Sequence, residues 1–382
     1  MKVVVEPVSD LASRIVHDWS ELAERAVEPN PFAEPAMVTN AAEHLPGGEA
    51  VGLLMVRSDR RLVMAVPVVR VSRFRRVPLP AVAIWSHAHS SSGVPLVEPD
   101  AVHEAWTAVL DWADRERIPW LVLDTVHDGG AALAPVDEVL IARGRRAHRF
   151  DPYSRPVVRR RPEATYTDGR MSSARRKKLR RHRRQLEEAL GGELMARDLL
   201  EDAHDPDDAI SRFLAMEASG WKGEDHTAMA STPGDAEFFR RLGHAMHSER
   251  RMQIWSLGTG DRAAAMACNL VAGNSIFHMK VCFDEQFARF SPGVQLEVDM
   301  LEAFHRDERL DLLDSCTGAD NTGINQMYPD RQEMATLLIA THGARGRIAA
   351  ASVPRAANAF RTTREFIYRT LRRTAPPDHG IT

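Results

Sequence analysis

The chain has 382 residues, a hydrophobic fraction of 44% and a formal net charge of −3. That length is too great for one ordinary core and suits two domains of about 150–180 residues each. No run nears the roughly 18 apolar residues of a membrane-crossing helix, and MKVVVEPVSD holds no signal-peptide apolar region.

Three cysteines, Cys268, Cys282 and Cys316, give neither a disulfide framework nor a metal spacing. The default location is therefore the cytoplasm. Charge is unevenly placed: residues 155–184 carry 13 Lys/Arg against Glu163 and Asp168, a local +11 that leaves −14 for the remainder.

In chain order, residues 2–5 read as a strand and 8–28 as an amphipathic helix with Leu11, Ile15, Trp19, Leu22 and Ala23 on one face. Asn30-Pro31-Phe32 breaks it, and a second helix runs from near Pro35 to His44. Strands Ala50–Arg57 and Arg61–Val71 form a hairpin. A Pro-rich loop follows with Trp85, His87 and His89; the two histidines read as surface loop in preference to an acceptor cleft. Helix 101–115, strand Trp120–Asp124 and helix Val136–Arg143 complete this half. The Arg/Pro-rich stretch 151–171 reads as a crossing between domains.

The basic helix Ser172–Leu190 starts on Ser172 or Ser173 and ends at Gly191-Gly192. Helices 206–219 and 234–248 follow, then a hairpin of Met252–Leu257 and Ala263–Val271. Next comes the stretch that organises the chain, Ser275–Phe304. Alternation puts Phe277, Met279, Val281 and Phe283 on one face of a strand and Ile276, His278, Lys280 and Cys282 on the other. A polar turn, Asp284–Arg289, leads to Ser291-Pro292-Gly293, where Ser suits an N-cap and Pro the first helical position. A helix begins at Val294, and its open N–H groups and dipole attract an anion. A strand Leu310–Ser315, a loop Cys316–Pro329, a strand Met334–Ala340 and a basic helix near 355–372 close the chain. The second half repeats the element order of the first, without residue identity.

Asp284 and Asp314 lie at C-terminal ends of strands, where ligands gather in α/β sheets, and are the carboxylate candidates. The competing readings are a turn start and a strand-end cap. Lys280, mid-strand among apolar neighbours, requires a partner such as Asp284 or a bound anion. Trp221 reads as core, and Lys222 beside it as a phosphate contact. Nothing in the spacing supports Cys316 as a thiol nucleophile. His244 and His247 stand three apart with no third ligand evident, so no metal is expected.

SSARRKKLRRHRRQLEE, Trp221-Lys222-Gly223, the run Lys280…Asp284…Ser291-Pro292-Gly293 and the strand end Asp314-Ser315-Cys316 together make residues 172–340 resemble a known domain. It is the GNAT-type acyltransferase domain of the CelD-like branch, a relative of the Fem-type peptidoglycan aminoacyltransferases. Trp19 with Asn30-Pro31-Phe32 resembles the degenerate first domain of the same proteins. Many relatives carry a Tyr-Lys pair and a Trp after the last loop, where this chain has Asn325-Gln326-Met327-Tyr328-Pro329.

The resemblance implies an α/β fold of two tandem GNAT-like domains, with mixed, mostly antiparallel sheets flanked by helices. Its boundaries are a degenerate domain at 1–150, a linker at 151–171, the acyltransferase domain at 172–342 and a basic helix and tail at 343–382. It implies acyl-CoA, acetyl-CoA for instance, as donor and no metal. Phe290, Ser291, Gly293 and Val294 would hold the donor, and Asp284, Asp314 and Lys280 would act on the reaction. Trp221, Lys222, Cys316 and Tyr328 would meet the acceptor, an amine or hydroxyl of a small molecule or of a polysaccharide or cell-envelope precursor. The Arg175–Arg184 helix reads as structure plus attraction of donor phosphate. The alternatives are transfer from aminoacyl-tRNA, as in Fem-type relatives, and a non-catalytic double-GNAT binding protein.

Overall fold

A computed structural model describes residues 1–74, 77–162 and 171–341. The expected helix at 355–372 lies outside them. Two-residue turns set the register of both hairpins. Asp59 (φ 52°) turns β2 (Gly52–Ser58) into β3 (Arg61–Phe74), and Gly260 (φ 57°) turns β9 (Met252–Thr259) into β10 (Arg262–Ala272). The remaining strands of the first half are β1 (Lys2–Pro7), β4 (Val77–Ile84), β5 (Leu96–Val97), β6 (Trp120–His127) and β7 (Ala147–Arg159). Those of the second are β8 (Met195–Asp198), β11 (Ser275–Phe283), β12 (Leu312–Asp314) and β13 (Asp330–Ala340).

All join one 13-stranded sheet in the order β1-β2-β3-β4-β6-β13-β7-β12-β11-β10-β9-β8, with β5 on β3. Among the described residues, only β4–β6 and β11–β12 are parallel. Read from its two ends, the order is nearly symmetric, except that each half gives its last strand to the other. β7 pairs with β12 and β13 pairs with β6, while β7 and β13 pair with each other at the centre. The result is a mixed, mostly antiparallel α/β fold of the tandem GNAT-like kind.

Helices cover both faces. On one lie α1 (Ser13–Arg25), α2 (Pro35–His44), α6 (Asp207–Ser219) and α8 (Pro233–Ser248). Their apolar stripes meet across the halves in one core that joins Trp19, Leu22 and Met37 to Phe213, Phe238 and Phe277. On the other lie α3 (Val102–Arg115) and α4 (Val136–Ile141) over the first half, and α5 (Ser173–Leu190) and α9 (Pro292–Arg306) over the second. The short α7 (Trp221–Glu224) and α10 (Thr322–Met327) cap strand ends. As the sequence leads one to expect, α5 starts on Ser172, whose hydroxyl accepts the Arg175 amide at 3.2 Å, and ends at Gly191 with φ 81°. Among the described residues, no helix is long and apolar enough to cross a membrane.

Three departures from the sequence reading have physical causes. β7 runs through the expected crossing, because its central position overrides the arginines and prolines that make it look like loop. β4 forms despite Pro78 and Pro80. The first helix begins only at Ser13, after a 3-10 turn at Val8–Asp10.

The seam between the halves is polar as well as apolar. Arg155 on β7 is 2% exposed; its guanidinium meets Asp314 at 3.3 Å and donates to the Ser91 carbonyl (2.6 Å) and the Tyr153 hydroxyl (2.8 Å). His87 and His89 are not surface loop. His89 is buried, stacks on Phe238 of α8 at 5.4 Å and meets Asp235 at 2.7 Å through Nε2, while His87 packs edge-on against the same ring. Burial, and then the neighbouring His89, push His87 down to about 4.

Because β13 closes the first half, Leu338→Ala, at a fully buried position opposite Val122, should cost about 3 kcal/mol. Urea unfolding should show tryptophan fluorescence and far-UV circular dichroism shifting together; separated transitions would contradict the shared sheet. His87 binds its proton less readily folded than unfolded. Its contribution is thus present above pH 6.5 and is lost as pH falls towards 4. The loss should reach roughly 2–3 kcal/mol at pH 4, and His87→Asn should flatten that part of the stability–pH curve.

Candidate functional site

β11 and β12 run side by side for only three residues, Ser275–Phe277 against Leu312–Asp314, and then splay. β12 stops because the Asp314 carboxylate accepts the Cys316 amide at 2.7 Å and Cys316 turns left-handed (φ 52°). On its other edge β11 carries a bulge. Cys268 faces Lys280 and Asn269 faces His278, so Met279 is the extra residue. The bulge breaks the alternation. Ile276 and His278 face α9, while Lys280 and Cys282 face α6 together with Phe277 and Met279. Strict alternation had placed His278 and Lys280 on one face; the extra residue separates them.

The splay opens a cleft of about 710 Å³. Its floor is β11 from His278 to Phe283. One wall is the start of α9, Ser291–Val294 with Glu297, and the other is Ser315–Thr317 and α10. Lys178 and His182 of α5 and Arg289 line it above, and Lys222 and Lys280 line the α6 side. Ser291 stands at the N-cap of α9 but takes a left-handed backbone (φ 55°), and its hydroxyl makes no capping bond. Pro292 has no N–H, so the amides of Gly293 and Val294 remain the open donors of the first turn.

Two carboxylates organise the charge. Glu217 on α6 is 1% exposed; its Oε1 takes both Lys222 Nζ (3.2 Å) and Lys280 Nζ (3.3 Å), and its Oε2 takes the Met229 amide (2.8 Å). Lys222 also donates to the Val281 carbonyl at 2.8 Å. One carboxylate thus holds two ammonium groups, leaving a net positive charge at that wall. Glu297 on α9, 3% exposed, accepts the Tyr328 hydroxyl and stands 3.8 Å from His278 Nδ1. Burial, and then the charge of Glu297, hold the Tyr328 phenol well above its usual range, so it remains a donor.

The sequence-derived candidates divide. Lys280, Lys222, Ser291, Gly293, Val294 and Cys316 all line the cleft. Phe290 is buried behind it, and Tyr328 stands behind Glu297. Asp284 and Asp314 are not in the lining. Asp284 caps the 3-10 turn Glu285–Phe290 by accepting the Gln286 amide at 3.0 Å, and Asp314 belongs to the Arg155 seam. Lys280 has Glu217 as its partner, not Asp284. Trp221, read as core, is 51% exposed; its amide is held by Glu285 at 2.6 Å. The Cys316 thiol is pushed well above its ordinary value by burial, and then by Asp314, so it is no thiolate nucleophile.

Glu217, Glu297, Lys178 and His182 were not singled out from the sequence. A signal existed for the two carboxylates. Glu217 follows Phe213 by four residues and Leu214 by three, and Glu297 precedes Met300 and Leu301 by three and four. Both therefore sit on the apolar stripe of a helix, where a charge needs partners. His244 meets Asp207 at 2.8 Å with Asp205 close by, an exposed group without His247.

Residues 173–322 match the family model described as an acetyltransferase (GNAT) domain. No curated protein matches the chain. Among solved structures it is similar to FemX (10% identity, TM-score 0.55, covering 88% of this chain and 97% of that one). It is also similar to a conserved protein of unknown function from Bacteroides thetaiotaomicron VPI-5482 (10%, 0.55, 89% and 100%). A third is the C-terminal domain of a putative lysylphosphatidylglycerol synthetase from Agrobacterium fabrum (10%, 0.54, 90% and 96%). At such identity the likeness is one of fold. The match to the acetyltransferase (GNAT) domain thus falls in the second half, and most of the cleft lining lies within the matched residues, with Gly323, Ile324 and Met327 just beyond them.

Proposed function

We propose that this protein is a GNAT-type acyltransferase that moves an acyl group from an acyl-CoA thioester to an amine or hydroxyl by direct attack. The observation that carries the reading is the open first turn of α9 at the mouth of the splayed β11–β12 pair, lined by cations. The amides of Gly293 and Val294 would take the donor pyrophosphate. A Cβ built at Gly293 meets nothing nearer than Phe283 and Val281 at 3.8 Å, so the room there belongs to the cleft.

In this reading the thioester lies in the splay, against the β11 edge that β12 leaves unpaired beyond Phe277. Backbone N–H groups of that edge are the donors for the oxyanion that forms as the acceptor attacks. The acceptor nitrogen or oxygen bonds to the acyl carbon, the carbon–sulfur bond breaks, and CoA leaves as thiol. The proton lost by the acceptor needs a base within the cleft. With Asp284 and Asp314 engaged elsewhere, Glu297 with His278 is the pair we assign. The excess positive charge of Lys222 and Lys280 suits an acceptor that carries an acidic group, which fits a small-molecule or polysaccharide or cell-envelope precursor.

Chemistry is assigned to residues 172–342 and not to 1–150. In the corresponding parallel pair β4–β6, a loop at 85–95 and β5 intervene between β4 and the helix α3, and its small cavity, about 20 Å³, is closed by Pro95, Trp106 and aliphatic side chains.

Thermal unfolding against acetyl-CoA, longer acyl-CoAs, free CoA and bulk tRNA tests the donor. CoA species should raise the midpoint by mass action, and Gly293→Trp should remove the shift. A shift with tRNA alone would move the protein to aminoacyl-tRNA-dependent transfer. No shift with any of them would favour a binding protein without catalysis. With a donor in hand, Glu297→Gln should lower thioester turnover by about 10²–10⁴-fold, while Asp284→Asn leaves it within about threefold. Undiminished turnover in Glu297→Gln would remove the base assignment.

A further inference from the structure

The basic helix α5 is denser in charge than a solvated face requires, with eight Lys/Arg between Arg175 and Arg184. Most of those side chains point to solvent. Lys178, itself exposed, and His182 one turn on line the donor cleft, whereas Arg176, Arg180 and Arg183 line a separate cavity beside α9. His182 is 8% exposed, and its Nδ1 is buried without a hydrogen-bond partner. A buried polar atom left in this way is open to a partner from outside the chain, a bound ligand or water.

The ring is held in place from below. It stands edge-on to Phe290, with centroids 6.3 Å apart. The Arg289 guanidinium lies over the face of the same Phe290 ring at 4.6 Å. Phe290 thereby fixes both an imidazole and a guanidinium at the rim of the cleft. Directly below is the first turn of α9, with the open amides of Gly293 and Val294. Lys178, Arg289 and the amides are three positive features around one unpartnered imidazole nitrogen.

We propose that Lys178 and His182 of α5, together with Arg289, form a clamp that holds the donor's phosphate groups against the α9 N-terminus. The clamp rests on the acyl-CoA reading above. It gives the basic helix a specific task, in which two of its residues bind the ligand and the others do not. Bound phosphate oxygens would accept from Lys178 and Arg289, and from His182 Nδ1 once that nitrogen carries a proton. A neutral imidazole can place its one proton on Nδ1, but only the imidazolium adds a positive charge to the bond with phosphate. The groups around the ring are Lys178 and Arg181 of its own helix, Arg289 of the 3-10 turn, and Glu297 and His278 across the cleft. In the free protein burial, and then Lys178, keep the imidazole below its ordinary proton affinity. A phosphate dianion would reverse that, so affinity for the donor should rise as pH falls from 8 to 6.

Isothermal titration of the whole protein with CoA at pH 6 and pH 8 tests the clamp, using wild type, His182→Gln, Lys178→Met and Arg184→Met. Arg184 is exposed on the same helix and lies outside the cleft lining, so it reports the general field of the helix. Unchanged far-UV circular dichroism and thermal midpoints establish that the variants fold. The expected result is a roughly tenfold or greater loss of CoA affinity in Lys178→Met and in His182→Gln at pH 6. Arg184→Met should lose less than about twofold, and the gain between pH 8 and pH 6 should vanish in His182→Gln. Wild-type affinity in both cleft variants, or an equal loss in Arg184→Met, overturns the clamp and leaves the donor reading standing. Failure of the wild type to bind CoA removes the donor reading and the clamp together.

Discussion

Everything in this molecule hangs on the antiparallel pairing of β7 with β13 at the middle of the sheet. Each is the last strand of its own half and the closing strand of the other. A sheet built this way does not let the halves separate as rigid bodies, since parting them tears three ladders of backbone hydrogen bonds. The side chains repeat the arrangement. Arg155, carried by β7, ties the end of β12 to the loop after β4 through Asp314 and the Ser91 carbonyl. A guanidinium buried this far is held by acceptors at both terminal nitrogens, while its Nε has none among the described residues. The first half thereby acts as a buttress. It fixes where β12 ends, and so where the cleft opens.

The cleft is the place where regular structure stops. Three residues of parallel pairing, one bulge and one left-handed cysteine divide the floor into two faces. His278 and Glu297 lie on the α9 face and Lys280 with Glu217 on the α6 face. Charges of the same sign are thus kept on opposite sides of one strand. A donor whose phosphates approach from the α9 side and an acceptor that approaches from the α6 side would meet at the only edge of β11 left unpaired. In the proposed reading the geometry would separate the two substrates before either is bound.

Much of this could be read from the sequence, and the failures have a common origin. Alternation marked β11, the Ser-Pro-Gly run marked the start of α9, and the serine and glycines around α5 marked its ends, because these signals are local. The bulge at Met279 is not local, since it is defined by register against β10; hence the misplacement of His278 relative to Lys280. β7 was hidden for the same reason. Its arginines and prolines look like a crossing until two neighbouring strands claim them. Asp284 and Asp314 were chosen for lying at strand ends, while the carboxylates that line or organise the cleft sit on helices α9 and α6, inside apolar stripes. Trp221 was misjudged because aromatic residues are usually buried, whereas here a four-residue helix holds the ring out in solvent.

The exchange of end strands also bears on how the chain is made. When residues up to about 160 have emerged from the ribosome, β6 has an open edge and β7 has two, since both partners of β7 are encoded more than 150 residues later. The first half must wait, unfinished, until residues 330–340 arrive. During that interval three strand edges are exposed to pairing with other chains. Arg145, Arg146, Arg149, Arg155, Arg159, Arg160 and Arg161 crowd in or beside β7. Like charges along a waiting edge repel an identical edge on another nascent chain. The same arginines that disguised β7 as a linker would then keep it soluble until its partners exist.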